Sequence, residues 1–246
     1  MAQFKKTGRL SGRIALVTGA SRGIGRAVAI RYAIEGASVI VLATNSNRLE
    51  SLDDDIKKLT GESVSIVKMD LTNFQEIYRL GHQVFDRFGK LDILVGNAGI
   101  LGQLTPVHHI KPEIWEKVLN VNLSANWHLL RTFDPLLRRS DSGRVIFVTS
   151  TVGSIPRSYW GAYSISKSGL EMMTKIYASE QTKTNIKANI INPGATRTDM
   201  RAQAMPGENP ISVKSPEEIT DSFVMLAEKK CKLNSQVVSE SGKVLQ

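Results

Sequence analysis

The sequence predicts a doubly wound α/β fold, with helices on both faces of a mainly parallel sheet of seven strands. Short β-branched runs alternate along the chain with longer segments of helical periodicity. Most of these short runs are apolar nearly throughout, as is typical of parallel strands that are buried on both faces. Strand alternating with helix favours right-handed crossovers within one sheet. We therefore expect a ligand site at the carboxyl ends of the strands.

Seven strands and six helices can be placed from these patterns. The strand candidates are residues 13–18, 38–43, 64–69, 92–96, 144–149, 186–191 and 236–239. The helix candidates are residues 23–35, 46–59, 73–88, 112–138, 158–183 and 216–228. Two helix starts have the form of a capping box, Thr72 with Gln75 and Ser215 with Glu218, and Pro216 suits a first helical position.

The chain of 246 residues fits a single domain, residues 1–246, with an N-terminal arm over residues 1–12. Residues 194–214 form the least regular stretch, which predicts a loop over the substrate. The first twelve residues lack the apolar core of a signal peptide, and no apolar run is long enough to cross a bilayer. The lone Cys231 excludes an internal disulfide and reads as an inert thiol. A cytoplasmic location follows as the expectation.

The formal net charge is +9, which has two interpretations. A basic surface could bind nucleic acid or an anionic substrate, or it could be solvated and have no partner. The basic residues are scattered and form no stretch interleaved with aromatic residues. We therefore expect no nucleic-acid partner, although the surplus favours phosphorylated cofactors over uncharged ones.

The first strand runs into Thr18-Gly19-Ala20-Ser21-Arg22-Gly23-Ile24-Gly25, and a helix follows. Three glycines let the backbone turn tightly and approach a pyrophosphate, which the N–H groups and positive end of the helix would bind. The spacing differs from G-x-G-x-x-G, and a purely structural turn is the alternative. Between a first strand and a first helix, the pattern indicates a dinucleotide site.

The end of the second strand predicts the cofactor. An acidic residue there would bind a ribose 2′-hydroxyl and repel a 2′-phosphate. Here Thr44 and Asn45 follow the strand, and the first acid is Glu50. Arg22 can reach the same place, unless it is only a solvated residue at the helix start. NADP(H) is therefore favoured over NAD(H).

Two further strand ends carry candidate cofactor ligands. Asp70, followed by Leu71, ends the third strand and could accept a hydrogen bond from an adenine amino group, or it could be an ordinary turn acid. Asn97-Ala98-Gly99 follows the fourth strand, where small residues let the chain lie against a cofactor. An ordinary turn is again the alternative.

Tyr163 and Lys167 lie four residues apart, which puts both side chains on one face of a helix. A phenol with a pKa near 10 exchanges protons poorly at neutral pH. An ammonium at ~4 Å in an effective dielectric of about 20 would lower that pKa by roughly 3 units, to near 7. A solvated helix face is the alternative for this spacing taken alone.

Ser150 and Asn122 complete the candidate catalytic group. Ser150 ends the fifth strand, where its hydroxyl could hold a carbonyl oxygen while Tyr163 protonates it; a turn residue is the alternative. Asn122 falls on or beside the apolar stripe of its helix, and a buried amide needs partners. It could hold a water that links to Lys167, or it could be a satisfied core asparagine.

Together these motifs resemble the short-chain dehydrogenase/reductase family, over about residues 12–228. Within the family, the chain is similar to bacterial 3-oxoacyl carrier-protein reductases. The resemblance implies a Rossmann fold and a catalytic tetrad of Asn122, Ser150, Tyr163 and Lys167. It also implies that Thr198 and the backbone at Pro193-Gly194 hold the nicotinamide carboxamide, and it adds Thr196 to the cofactor site. Tyr163 and Lys167 would also contact the cofactor.

The expected activity is hydride transfer between NADP(H) and a carbonyl or alcohol substrate, most simply as a carbonyl reductase without a metal ion. The alternative is a nucleotide-sensing or scaffold protein on the same fold. Val152, Trp160 and Met200 are the expected substrate contacts. We expect a homodimer or a homotetramer. The C-terminus reads Val237-Val238-Ser239-Glu240 where family members often have V-D-G-G, a segment that usually helps to form a tetramer interface.

Overall fold

The computed structural model describes residues 8–245 and places seven parallel strands in one sheet, in the order β3-β2-β1-β4-β5-β6-β7. The strands are β1 Ile14–Thr18, β2 Ser38–Ala43, β3 Ser65–Lys68, β4 Ile93–Gly96, β5 Arg144–Val148, β6 Lys187–Asn192 and β7 Val237–Ser239. Every strand lies within one residue of its expected bounds. The doubly wound fold is confirmed, and the sheet is parallel throughout rather than mainly so.

Nine α-helices connect or follow these strands in the described residues. They are α1 Gly23–Ile34, α2 Ser46–Thr60, α3 Phe74–Phe88, α4 Pro112–Leu119, α5 Ala125–Arg138, α6 Thr151–Ser154, α7 Gly161–Glu180, α8 Asp199–Ala204 and α9 Thr220–Ala227. Their apolar sides form two buried clusters, one on each face of the sheet. Residues 1–7 of the expected N-terminal arm lie outside the described part of the chain.

Three expected helices differ in their detail. The segment expected as one helix over 112–138 is α4, then a π-helical turn at Asn120–Ser124, then α5. The helix expected to begin at 158 begins at Gly161, and the last one begins as a 3-10 turn, Glu217–Ile219, before α9. Residues 194–214 are also more regular than expected, because they contain α8 and a 3-10 turn.

The capping box expected at Thr72 and Gln75 is wrong. Asn73 is the residue that precedes α3, and the hydroxyl of Thr72 instead donates to Asp70 Oδ1 at 2.8 Å. Because α3 begins one residue later than expected, Thr72 does not occupy the capping position, whose side chain would accept a backbone N–H of the first turn. At the second site half of the box forms, since the backbone N–H of Ser215 donates to Glu218 Oε2 at 2.6 Å. This hydrogen bond lowers the pKa of Glu218.

The strand order reverses between β1 and β4, so the loops after these two strands leave the sheet toward opposite faces. A crevice forms where they part, at the carboxyl ends of the strands. The loops that follow β1, β2, β3, β4, β5 and β6 all reach this edge. The topology therefore gathers side chains from distant parts of the chain at one place.

Candidate active site

A cavity of about 600 Å³ occupies this crevice. It is lined by most of the residues that the sequence singled out. These are Gly19, Ser21, Arg22, Gly23, Ile24, Thr44, Asp70, Leu71, Asn97, Ala98, Gly99, Ser150, Trp160, Tyr163, Lys167, Pro193, Gly194, Thr196, Thr198 and Met200. Gly25, Asn45, Asn122 and Val152 do not line it, and their surroundings are described below.

The glycine turn after β1 has no room for side chains at two positions. Gly19 has φ +65°, and a Cβ there would lie 2.9 Å from the Cα of Ala98. A Cβ on Gly25 would lie 2.4 Å from the carbonyl oxygen of Gly19 and 2.5 Å from Asn97 Nδ2. Gly25 therefore lets the first turn of α1 sit directly on the loop that precedes it, although it does not touch the cavity.

Asn97 and Thr18 fasten this turn to the end of β4. The Asn97 amide donates to the carbonyl oxygens of Thr18 and Gly19, at 2.9 and 3.3 Å. The hydroxyl of Thr18 accepts the backbone N–H groups of Asn97 and Ala98, at 3.0 and 3.1 Å. The role of Asn97 is thus to hold the glycine turn in shape, a role that its place in the sequence does not reveal.

Arg22, in the glycine turn, and Thr44, after β2, both line the cavity, and no acidic residue follows β2 before Glu50. The guanidinium of Arg22 forms an ion pair with Asp199, the first residue of α8, at 2.6 Å, and both side chains are largely exposed. The side chain of Asn45 faces away from the cavity, because it caps α2 by accepting the backbone N–H of Arg48 at 3.0 Å.

Asp70 combines the two interpretations of its sequence position. Its Oδ1 accepts both the backbone N–H and the hydroxyl of Thr72, at 2.9 and 2.8 Å, which makes it a turn acid. Both hydrogen bonds use the same oxygen, so neither occupies Oδ2, and Asp70 lines the cavity. The carboxylate can therefore stabilise the turn through Oδ1 and accept a hydrogen bond from a ligand through Oδ2.

Ser150, Tyr163 and Lys167 meet at the inner end of the cavity. Ser150 follows β5, and its hydroxyl lies close enough to the phenol of Tyr163 to lower the pKa of that phenol. The amine of Lys167 lies 5.7 Å from the centre of the Tyr163 ring and donates to the carbonyl oxygen of Val148 at 2.7 Å. Lys167 is buried yet lines the cavity, so its two other amine protons can meet a ligand there.

The sequence argument on the Tyr163 pKa is wrong for the protein by itself. Burial raises the pKa of Tyr163 to about 12, against a smaller lowering by the hydrogen bond with Ser150. Burial also lowers the pKa of Lys167 to about 8, so desolvation disfavours both charged forms. The Lys167 amine lies beside the tyrosine ring and donates to a backbone carbonyl, which limits its pull on the phenol.

Asn122 is completely buried in the π-helical turn. Its amide donates to the carbonyl oxygen of Ile100 and to Ser166 Oγ, both at 3.0 Å, and its Oδ1 accepts the N–H of Ile100 at 2.8 Å. Both amide protons are thus used within the protein, as in a satisfied core asparagine. Asn122 joins the irregular segment that follows Gly99 to α7, and a Cβ on Gly99 would lie 3.6 Å from Lys167 Nζ.

The remaining part of the cavity is apolar. Trp160 packs edge-on against Tyr163 with ring centres 5.9 Å apart, and both belong to a buried cluster with Leu101. Val152 and Met200 pack against this cluster, although only Met200 lines the cavity. Asp199, Arg201 and Ala204, from the expected substrate loop of residues 194–214, also line the cavity. Leu101, Lys117 and Val121 line it too and were not expected, because their positions depend on loop paths rather than on a motif.

Within residues 8–245, no group of three or more histidine, cysteine, aspartate or glutamate side chains is arranged to bind a metal ion. In the same part of the chain, no helix is both long enough and apolar enough to span a membrane.

Comparison with known proteins decides the family. The model of the short chain dehydrogenase family matches residues 13–209. The chain belongs to the short-chain dehydrogenase/reductase family. It is 38% identical to the uncharacterised oxidoreductase YciK of Escherichia coli K12 over 219 residues, which cover 88% of this chain and 86% of YciK. It is 34% identical to the 3-oxoacyl-[acyl-carrier-protein] reductase FabG of Thermotoga maritima over 192 residues, or 78% and 77% of the two chains.

Solved structures of other dehydrogenases of this family share the whole fold. A short chain dehydrogenase from Shigella flexneri 2a, solved with NADP, matches with a TM-score of 0.92 at 35% identity, over 96% of this chain and 100% of its own. One from E. coli CFT073, solved with NADPH, has a TM-score of 0.92 at 36% identity, over 96% and 99% of the two chains. This short-chain dehydrogenase/reductase is therefore an oxidoreductase by family.

The geometry of the glycine turn fits a dinucleotide. The three glycines keep the space before α1 free of side chains, since a Cβ at Gly19 or Gly25 would collide with backbone. The residue before α1, Arg22, gives the helix no side-chain cap, which leaves the N–H groups of its first turn to an anion. The cavity then runs from this helix start to Tyr163 and Lys167.

Proposed function

We propose that the protein is a carbonyl reductase that uses NADP(H). The observation that carries the proposal is that a single cavity joins the glycine turn, the corner of Arg22 and Thr44, and the group of Ser150, Tyr163 and Lys167. Two structural relatives that contain NADP or NADPH support the choice of cofactor. When bound, the cofactor would supply the hydride.

The side chains of this dehydrogenase would bind and orient the reactants. Ser150 would hold the carbonyl oxygen of the substrate by donating its hydroxyl proton, and Tyr163 would donate the proton that the oxygen gains. Lys167 would bind ribose hydroxyls through the two amine protons that Val148 does not take. Thr198 and the backbone at Pro193-Gly194 would hold the carboxamide, while Trp160 and Met200 would enclose an apolar part of the substrate.

The protonated phenol of Tyr163 is the form that reduction of a carbonyl requires. With its pKa raised to about 12, the phenol keeps its proton throughout the neutral range. A proton donor must be protonated before the reaction, whereas oxidation of an alcohol would need the phenolate. The Tyr163 phenol of the free protein therefore carries the proton that a carbonyl oxygen would gain.

Replacing Arg22 with alanine tests the cofactor. A charge-assisted hydrogen bond to a 2′-phosphate contributes about 1.5–3 kcal/mol, so we expect Arg22→Ala to weaken NADPH binding by about 10- to 100-fold. Binding of NADH, which lacks that phosphate, should change less than about twofold. Titration with each nucleotide, followed by nicotinamide fluorescence, measures both constants.

Asp199→Asn is the matched control for this titration. The substitution removes the ion pair that holds Arg22 in the free protein, so NADPH should bind a few-fold more tightly while NADH is unaffected. If Arg22→Ala weakened the binding of NADPH and of NADH equally, Arg22 would not recognise the 2′-phosphate. Tighter binding of NADH than NADPH by the unaltered protein would overturn the choice of cofactor. If neither nucleotide bound, the non-catalytic scaffold interpretation would replace the reductase.

We further propose a homodimer that forms through α7. Ile165, Met172 and Ile176 occupy one side of this helix at helical spacing and are 44%, 59% and 51% exposed. The outer edge of β7 is not open to a partner subunit, which favours a dimer over a tetramer built at that edge. The returning C-terminal segment covers it, with Leu245 N–H donating to the carbonyl oxygen of Val237 at 2.7 Å. A cytoplasmic location stays a prediction from the lone cysteine.

Met172→Lys should convert the dimer into a monomer, because a charge would have to be buried at the centre of the apolar face. Sedimentation velocity at micromolar concentration measures the change. Leu59→Lys, which places the same charge on an exposed residue of α2, should leave the dimer intact. A monomeric unaltered protein, or a dimeric Met172→Lys variant, would contradict the proposal.

A further inference from the structure

Glu171 is a buried carboxylate that the proposed reaction does not use. It lies on α7 one turn after Lys167, so the two side chains share a face of the helix. Only 6% of its surface is exposed. Carboxylates are rarely buried to this extent unless other groups satisfy them, so its partners indicate its purpose.

The partners of Glu171 come from the segment that carries Ser150. Its Oε1 accepts the hydroxyl of Thr149, the residue before Ser150, at 2.5 Å. Its Oε2 accepts the hydroxyl of Ser154, at the end of α6, at 3.0 Å. The carboxylate thus bridges both ends of the short segment from Thr149 to Ser154, and Ser150 lies within it.

The same place is too tightly packed for the segment to shift. A Cβ on Gly153 would lie 2.7 Å from Glu171 Oε1, 2.8 Å from Thr149 Oγ1 and 3.2 Å from the Cβ of Lys167. The Ser168 hydroxyl, also on α7, donates to the carbonyl oxygen of Gly153. Glu171 therefore sits between α6 and the buried stem of Lys167.

We propose that Glu171 is a positioning residue for Ser150 and Lys167. Its carboxylate fixes the segment that carries Ser150 against the helix that carries Tyr163 and Lys167, and it places a negative charge one turn from Lys167 on the same face of α7. This proposal rests on the proposed function, because Lys167 and Ser150 have their roles only in that reaction.

The charged surroundings of Lys167 are simple enough to test. Tyr163 lies one turn before it on α7, Glu171 one turn after it, and Lys175 one turn further. The elements packed against this part of α7 contribute hydroxyl, amide and backbone groups from Thr149, Ser150, Ser154, Asn122 and Val148, and α4 brings one further charged side chain, Lys117, to the same cavity. Burial lowers the pKa of Lys167, and the attraction of Glu171 raises it. Glu171 is thus the charge that opposes desolvation of the amine.

Replacing the carboxylate should make Lys167 lose its proton at lower pH. In Glu171→Gln, which keeps the shape but not the charge, we expect the midpoint of Lys167 deprotonation to fall by about one pH unit. NMR of the full chain carrying ¹³C at the lysine ε-carbons follows this midpoint, and Lys167→Met identifies the signal. In Glu171→Asp, which keeps the charge, the Lys167 midpoint should return most of the way to that of the unaltered protein. Glu180→Gln, at the exposed end of α7, should leave the midpoint unchanged.

Glu171→Met is a second neutral variant, in case the glutamine variant does not fold. It fills a similar volume and leaves no buried charge, and the same fall in the midpoint is expected. A Lys167 midpoint that is unchanged in a folded neutral variant would overturn the proposal.

Turnover of a carbonyl substrate tests the role of Glu171 independently of the NMR measurement. The neutral variants should have a several-fold lower kcat at pH 8, with the basic limb of the pH profile moved down by the same amount. If the unaltered protein turned over no carbonyl compound, the proposed function would fail, whereas the NMR midpoint would still decide whether Glu171 acts on Lys167.

Discussion

Tyr163→Phe should reduce carbonyl turnover by about 10²- to 10⁴-fold, the usual contribution of a general acid. The substitution removes only the phenol oxygen, and the ring keeps its edge-on contact with Trp160. Binding of NADPH should therefore stay within about threefold of that of the unaltered protein. Initial rates with saturating NADPH and a panel of ketones, aldehydes and acyl thioesters measure the loss.

Tyr159→Phe is the matched control, because Tyr159 is 60% exposed and lies outside the cavity lining. It should turn over substrate as the unaltered protein does. Considerable turnover in Tyr163→Phe would show that another group supplies the proton, and the assignment of Tyr163 would be wrong.

Gly25→Ala should abolish cofactor binding, raising the Kd of NADPH by at least about 100-fold. The added Cβ would lie 2.4 Å from the Gly19 carbonyl oxygen, which belongs to the backbone of the turn and cannot rotate away. The start of α1 would have to move from the loop, so its N–H groups would no longer point at the pyrophosphate. Overpacking of this kind also lowers the free energy of unfolding by about 1–3 kcal/mol.

Two measurements separate these effects. Fluorescence titration gives the loss of NADPH binding, and thermal unfolding without nucleotide gives the loss of stability. Gly207→Ala serves as the control, because a Cβ there would have no atom within 4 Å and both quantities should be unchanged. If Gly25→Ala bound NADPH normally, the start of α1 would not be the cofactor site.

The order of strands and helices follows from local patterns, which is why the sequence predicted it well. Buried parallel strands are apolar on both faces, so runs such as those of β2 and β5 are recognisable without tertiary information. The ends of helices were less predictable: α3 begins one residue later than expected, so Thr72 lies outside the capping position and its hydroxyl donates to Asp70.

The candidate site was partly predictable for a similar reason. Residues at strand ends and in the glycine turn reach the cavity through topology alone, and Ser150, Tyr163 and Lys167 meet there. The roles of Asn97, Asn45 and Glu171 were not visible in the sequence. Each depends on hydrogen bonds that join or cap particular elements, and nothing in the local sequence specifies those partners.

By itself, the sequence determined the doubly wound fold, the edge of the sheet that carries the site, and most residues that line the cavity. Only the tertiary structure decided the pKa values of those residues and the ion pairs and hydrogen bonds that they form. Burial, which is a property of the packed chain, raises the pKa of Tyr163 to about 12 although Lys167 lies one turn away. In the same way, Arg22 pairs with Asp199 from α8, because chain folding brings together two residues that lie far apart in the sequence.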